Sequence, residues 1–116
     1  MPDETPAVPT LSTAALHVLL SLADGPRHGY AIMQTVAVES NGAVRLGPTT
    51  LYRTLRTLHD TGLVSEAPHD DPAGDSRRRY YRMTEAGQDA ARAELARLEA
   101  LIGTARAKRH LYPGTA

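Results

Sequence analysis

The sequence predicts a mainly helical fold with one small β-hairpin, arranged as a winged helix-turn-helix with an added C-terminal helix. Three observations carry this. An amphipathic segment with clear start and stop signals runs from Pro48 to Thr61. A hairpin pattern rich in Arg follows it, up to Met83. A long helical pattern then begins at Thr84. The expected division is a disordered arm over 1–10, a winged helix-turn-helix DNA-binding domain over 11–83, a dimerisation helix over 84–110 and a tail over 111–116.

The first helix is expected from about Ser12, a suitable N-cap, to Ala23, before Asp24-Gly25-Pro26. It is apolar nearly all round. Leu16, Leu19, Leu20 and Ala23 lie on one side, and Ala15, Val18 and Leu22 on another. One face serves the domain core and the other needs a cover from elsewhere. The second helix opens at His28-Gly29-Tyr30 and runs to about Ser40, with Ile32 and Val36 inward and Asn41-Gly42 as its stop. Val44-Arg45-Leu46 reads as a short extended link.

The third helix starts at Pro48, which suits the first helical position because its missing N–H has no partner there anyway. Gly62 suits the position just past the end, where a left-handed conformation is common. Leu51, Leu55 and Leu58 repeat at i, i+4 and i+7 and form the core stripe. Thr49, Arg53, Arg56 and Asp60 fall within roughly 60° of one another on the opposite side. Tyr52 sits on the shoulder between the faces. The polar face has the chemistry of a major-groove reader. Arg53 and Arg56 can each present a bidentate fork to guanine, and Thr49 and Thr50 suit a phosphate or a thymine methyl. The same residues also suit a plain solvated face, so the neighbouring hairpin decides between the readings.

Val64 to Pro68 is the outgoing strand, 70–75 the turn cluster and Ser76 to Met83 the return. Alternation puts Arg79, Tyr81 and Met83 on the core side, with Tyr80 and Arg82 outward. Ser76, Arg77, Arg78 and Arg79 lie near the hairpin tip, where Arg suits phosphate contact. Some of this Arg run is expected to pair with Asp70, Asp71 and Asp75. In the last helix Ala91, Leu95, Leu98, Ile102 and Ala105 alternate by four and three, as in a short a/d seam. With Leu16 and Leu19 of the first helix they form the expected homodimer interface.

Charge is placed locally. The chain has 116 residues and zero formal net charge, yet residues 45–82 hold seven Arg against five acids, while residues 1–44 hold one Arg against four acids. A local patch is what electrostatic docking needs. There is no Cys, which removes disulfides, thiol catalysis and thiolate metal sites. The five His residues have no metal-site spacing, and no catalytic constellation or cofactor motif is present. His28 is expected to be structural, at the start of the second helix. The acidic, Pro-rich N-terminus is unlike a secretory signal, and the longest apolar run, Ala14 to Ala23, is too short to span a bilayer. A cytoplasmic protein without membrane contact is expected.

Taken in order, Gly25-Pro26-Arg27-His28-Gly29-Tyr30, Leu51-Tyr52-Arg53-Thr54-Leu55, Gly62-Leu63-Val64 and Arg79-Tyr80-Tyr81-Arg82-Met83-Thr84-Glu85-Ala86-Gly87 resemble the PadR-type transcriptional regulators, in their short form with one C-terminal helix. The resemblance implies a homodimeric winged helix on double-stranded DNA with an inverted-repeat operator, usually as a repressor, paired through its first and last helices. It implies that Tyr52 approaches the DNA backbone, and it allows for release by a small aromatic or drug-like effector. The chain departs from the family at Arg53, where Pro is frequent, and in having no Trp in the last helix. The competing reading is a winged helix that contacts only proteins, which would show an apolar patch on the exposed face of the third helix.

Overall fold

Local capping chemistry sets most element boundaries in the computed structural model, which describes residues 10–68 and 79–114. Helix α1 spans Thr13–Ser21, and the Ser12 hydroxyl accepts the Ala15 N–H at 3.1 Å. Strand β1 is the pair Arg27–His28. Helix α2 spans Gly29–Glu39, and its cap is the His28 imidazole, whose Nδ1 accepts the Ala31 N–H at 3.2 Å. Helix α3 spans Pro48–Asp60, with Pro48 in its first turn. Strands β2 (Val64–Ala67) and β3 (Tyr80–Met83) follow, then helix α4 over Glu85–Arg106.

Helices α2 and α3 end in the same way. After α2, Asn41 N–H bonds Val38 C=O and Gly42 N–H bonds Ala37 C=O, with φ of 53° at Asn41 and 79° at Gly42. After α3, Gly62 N–H bonds His59 C=O and Leu63 N–H bonds Leu58 C=O, with φ of 79° at Gly62. Both are Schellman closures that satisfy orphan carbonyls and turn the chain sharply.

The three strands form one antiparallel sheet in the order β1-β3-β2. Val64 pairs with Met83 and Glu66 with Tyr81, while Arg27 pairs with Tyr81 and His28 with Tyr80. Strand β1 has no signature in the sequence, because two residues carry no periodicity and β3 supplies their hydrogen bonds. β1 is held from behind as well, since Arg27 Nε donates to the Ser21 carbonyl at 2.7 Å. The return strand is described only from Tyr80, so the expected turn and the tip residues Ser76, Arg77 and Arg78 lie outside the described residues. Tyr81 and Met83 pack on the core and Arg82 is exposed, as alternation requires, whereas Arg79, placed on the core side by the same alternation, lies just before the strand and is exposed. Tyr80 is half-buried rather than outward, with its ring edge-on to His28 at 5.3 Å.

Helix α1 lies at the centre and packs against α2, α3 and α4 of its own chain. This packing bears on one expectation. Leu16, Leu19 and Ala91, assigned to a dimer interface, are buried in the chain's own core. Helix α4 packs on α1, and the three residues are 0–8 % exposed, while Leu19 and Ala91 still border an open groove with Leu20, Ala23 and Leu95. The contact is close. The Thr84 hydroxyl caps α4 at Gly87 N–H (3.0 Å) and donates to Gly62 C=O (2.7 Å), tying the start of α4 to the end of α3. A Cβ on Gly87 would overlap the Leu63 carbonyl oxygen, so glycine is what lets α4 press on that peptide. Helix α4 ends at Arg106, short of the expected His110, and a turn continues from Ala107.

Candidate nucleic-acid interface

Helix α3 is divided sharply. Leu51, Leu55 and Leu58 are 0–2 % exposed, and each contributes about 1.5–3 kcal/mol of burial to holding the helix against the core. The opposite face holds Thr49, Thr50, Arg53 and Arg56, all exposed, with Tyr52 half out at 51 %. Pro48, Thr49, Tyr52, Arg53 and Arg56 surround a shallow hollow of about 430 Å³. The fold thus gathers all but one of the expected recognition residues around one depression; Thr50 is exposed but stands outside it.

A second cleft, of about 400 Å³, separates α3 from the sheet. Tyr52 and Arg56 belong to both spaces. The far wall carries Glu66, Arg79 and Tyr81. Arg79 is exposed and lies 3.9 Å from Glu66. An open pair of this kind is worth about 0–1 kcal/mol, so Arg79 is available to a stronger anion. Burial raises the Tyr81 hydroxyl above the ordinary tyrosine pKa, with Glu66 and then Tyr52 adding to the effect and Arg79 opposing it. Tyr81 therefore remains a neutral hydroxyl facing the cleft at physiological pH.

Glu66 and Tyr81 are cleft residues that the sequence reading did not single out. The signal was present. Once Val64 pairs with Met83, antiparallel register places Glu66 opposite Tyr81 on the side that faces α3.

The seam residues separate into two groups. Leu98 is half-buried against the core, and Ala105 is partly covered. Leu95 and Ile102 are exposed, as is Leu101, which the a/d pattern omitted. Beside them, Leu20, Ala23, Met83 and Leu95 help line a groove of about 310 Å³ between α1 and α4. Glu94 is the buried acid of α4; Arg97 Nη2 meets Glu94 Oε2 at 2.5 Å. That hydrogen bond holds the Glu94 carboxyl below the usual range, with help from the Arg97 charge and the Leu11 backbone N–H and against the effect of burial. Among the described residues no helix is long and apolar enough to cross a membrane, and no cluster of three or more His, Cys, Asp or Glu could hold a metal.

The model of the transcriptional regulator PadR-like family matches residues 18–93, from within α1 to within α4. The chain is 41 % identical over 76 residues to an uncharacterized 37.1 kDa protein in transposon TN4556 of Streptomyces fradiae, covering 66 % of this chain and 20 % of that protein. It is 28 % identical over 71 residues to a protein X of Lysinibacillus sphaericus, covering 61 % of this chain and 64 % of that protein. The chain thus spans less than two thirds of either relative. Among solved structures, a PadR family transcription regulator from Clostridium difficile superposes with a TM-score of 0.68 at 18 % identity, covering 80 % of this chain and 94 % of the other. A transcriptional regulator from Clostridium thermocellum gives 0.66 at 22 % identity, covering 78 % and 86 %. These structural likenesses support the winged-helix fold.

Proposed function

The chain belongs to the PadR-like family of transcriptional regulators, and on that premise we propose that it is a homodimeric repressor that reads an inverted-repeat DNA operator with α3. The observation that carries this reading is the division of α3: its apolar stripe is fully consumed by the core, and the outer face gathers Thr49, Tyr52, Arg53 and Arg56 around one hollow. Thirteen residues of α3 make a rod about 20 Å long, and the major groove, about 12 Å wide, admits such a rod. Arg53 and Arg56 read base edges, Thr49 and Thr50 hold the helix N-terminus near a phosphate, and Arg79 leads the wing toward the backbone.

The apolar side chains that α4 leaves exposed or half-covered supply the pairing surface, with Leu95, Leu98, Ile102 and Ala105 retained from the expected seam and Leu101 added. Two copies set two α3 helices one helical turn apart, roughly 34 Å, and convert two modest contacts into one tight one. A small aromatic or drug-like effector would loosen that pairing, and the apolar groove beside α4 is the space nearest to it. A purely protein-binding module is less well supported, since Tyr52 is the only large apolar or aromatic side chain exposed on α3. Selection of duplexes from a random pool tests the reading. The expected outcome is enrichment of one sequence with two-fold symmetry, and a pool that remains random contradicts it.

A further inference from the structure

Gly29 is the first residue of α2 and is buried. Its φ is not in the positive region that favours glycine, so the backbone there would accept alanine. The side chain would not be accepted as readily. A Cβ built on Gly29 stands 2.5 Å from the Tyr52 hydroxyl oxygen, 3.0 Å from Tyr52 Cζ and 3.3 Å from Leu51 Cδ2. The tip of the Tyr52 ring therefore ends on a bare α-carbon at the start of α2. Tyr52 also lines the hollow that holds Arg53 and Arg56, and it lines the cleft between α3 and the sheet. One ring thus touches the start of α2 and both spaces beside α3.

We propose that Gly29 is a positioning residue for DNA recognition: its missing side chain makes a seat for the Tyr52 hydroxyl, and that seat fixes where Tyr52 stands between the hollow on α3 and the cleft toward the wing. The proposal rests on the reading of α3 as the DNA-facing helix. An added methyl at Gly29 overlaps only the far end of the Tyr52 side chain, and its 3.3 Å approach to Leu51 Cδ2 is relieved by a shift of a few tenths of an ångström, so the chain yields mainly by moving Tyr52 and keeps its fold. Recognition is then weakened without stability being lost. The two residues are coupled, and the effect of changing one depends on the other.

The test is a double-mutant cycle on the selected duplex, read by fluorescence anisotropy, with melting temperature measured alongside. Gly29→Ala is expected to weaken binding about tenfold, within the range of coupling between contacting residues, and to leave the melting temperature nearly unchanged. In a Tyr52→Phe background, where the clashing oxygen is gone, the same Gly29→Ala change is expected to cost less than about threefold. Equal losses in both backgrounds overturn the seat, and full-strength binding by Gly29→Ala overturns the positioning role alone. A wild-type chain that binds no duplex fails the DNA reading itself. The seat has a readout free of DNA: the wild type should show a nuclear Overhauser contact between the Gly29 α-protons and the Tyr52 ring, and its absence overturns the proposal whatever the binding data give.

Discussion

Leu51, Leu55 and Leu58 of α3 are 0–2 % exposed, whereas Leu95, Leu101 and Ile102 of α4 are 37–55 % exposed. Both helices carry an apolar stripe, and the fold uses the two stripes differently. Helix α3 spends its stripe on the core and keeps a face of Thr, Tyr and Arg. Helix α4 buries Gly87, Ala91 and Glu94 in its first half and rests Leu98 on the core, but leaves Leu95, Leu101 and Ile102 exposed. A bare polar face rich in Arg suits a polyanion, and a bare apolar one suits another apolar surface. On the proposed function, α3 is the helix that faces DNA and α4 the one that faces a second copy of the chain.

Substitutions of leucine-like residues on the two helices should break the comparison most visibly. Leu55→Ala is expected to destabilise the chain by about 2–5 kcal/mol in denaturant unfolding, since it leaves a cavity in a packed core. Ile102→Glu should leave each chain folded but convert dimer to monomer by light scattering, with operator affinity falling roughly 100-fold as the bivalent contact is lost. A dimeric Ile102→Glu variant would move the pairing surface away from α4.

The polar face of α3 comes next in magnitude. Arg56→Ala is expected to cost about 1–3 kcal/mol of operator affinity and to relax base preference at one position of each half-site. Lost affinity with base preference intact would make Arg56 a phosphate contact instead. A smaller effect of opposite sign is expected from Glu66→Gln. It removes an acid from the cleft and frees Arg79, so binding to duplexes of any sequence should tighten by less than about fivefold at low salt. Weaker binding in that variant would make Glu66 a contact rather than a competitor.

The smallest effect concerns the joint between α4 and the segment before α1. The folded-state pKa of Glu94 lies below its ordinary value, first through the Arg97 hydrogen bond. A depressed carboxyl stabilises the fold above its unfolded pKa and loses that contribution as pH falls through the folded value. The melting temperature should therefore drop in acid, and Glu94→Gln should melt lower at neutral pH with a flatter decline below the ordinary carboxylate range. An unchanged acid dependence would place the sensitive group elsewhere.

Much of this arrangement was legible in the residues. Ser12, His28, Pro48, Gly62 and Thr84 mark element ends through local chemistry, so the helix starts could be read directly. The period of Leu51, Leu55 and Leu58 fixes the outward face of α3 without any tertiary information. What escaped depends on distant partners. Strand β1 exists because β3 comes alongside Arg27 and His28. The burial of Leu16, Leu19 and Ala91 depends on which elements close around α1, and a seam pattern reads the same whether its partner is the same chain or another. The seat at Gly29 depends on a ring arriving from α3. Sequence periodicity showed which faces are apolar and left open what covers them.

The claim that α3 reads DNA while α4 pairs two chains is tested most directly by hydroxyl-radical footprinting of the wild-type protein on its selected duplex. Two equivalent protected segments are expected, one helical turn apart and related by two-fold symmetry. A single protected segment, or protection without symmetry, would contradict it.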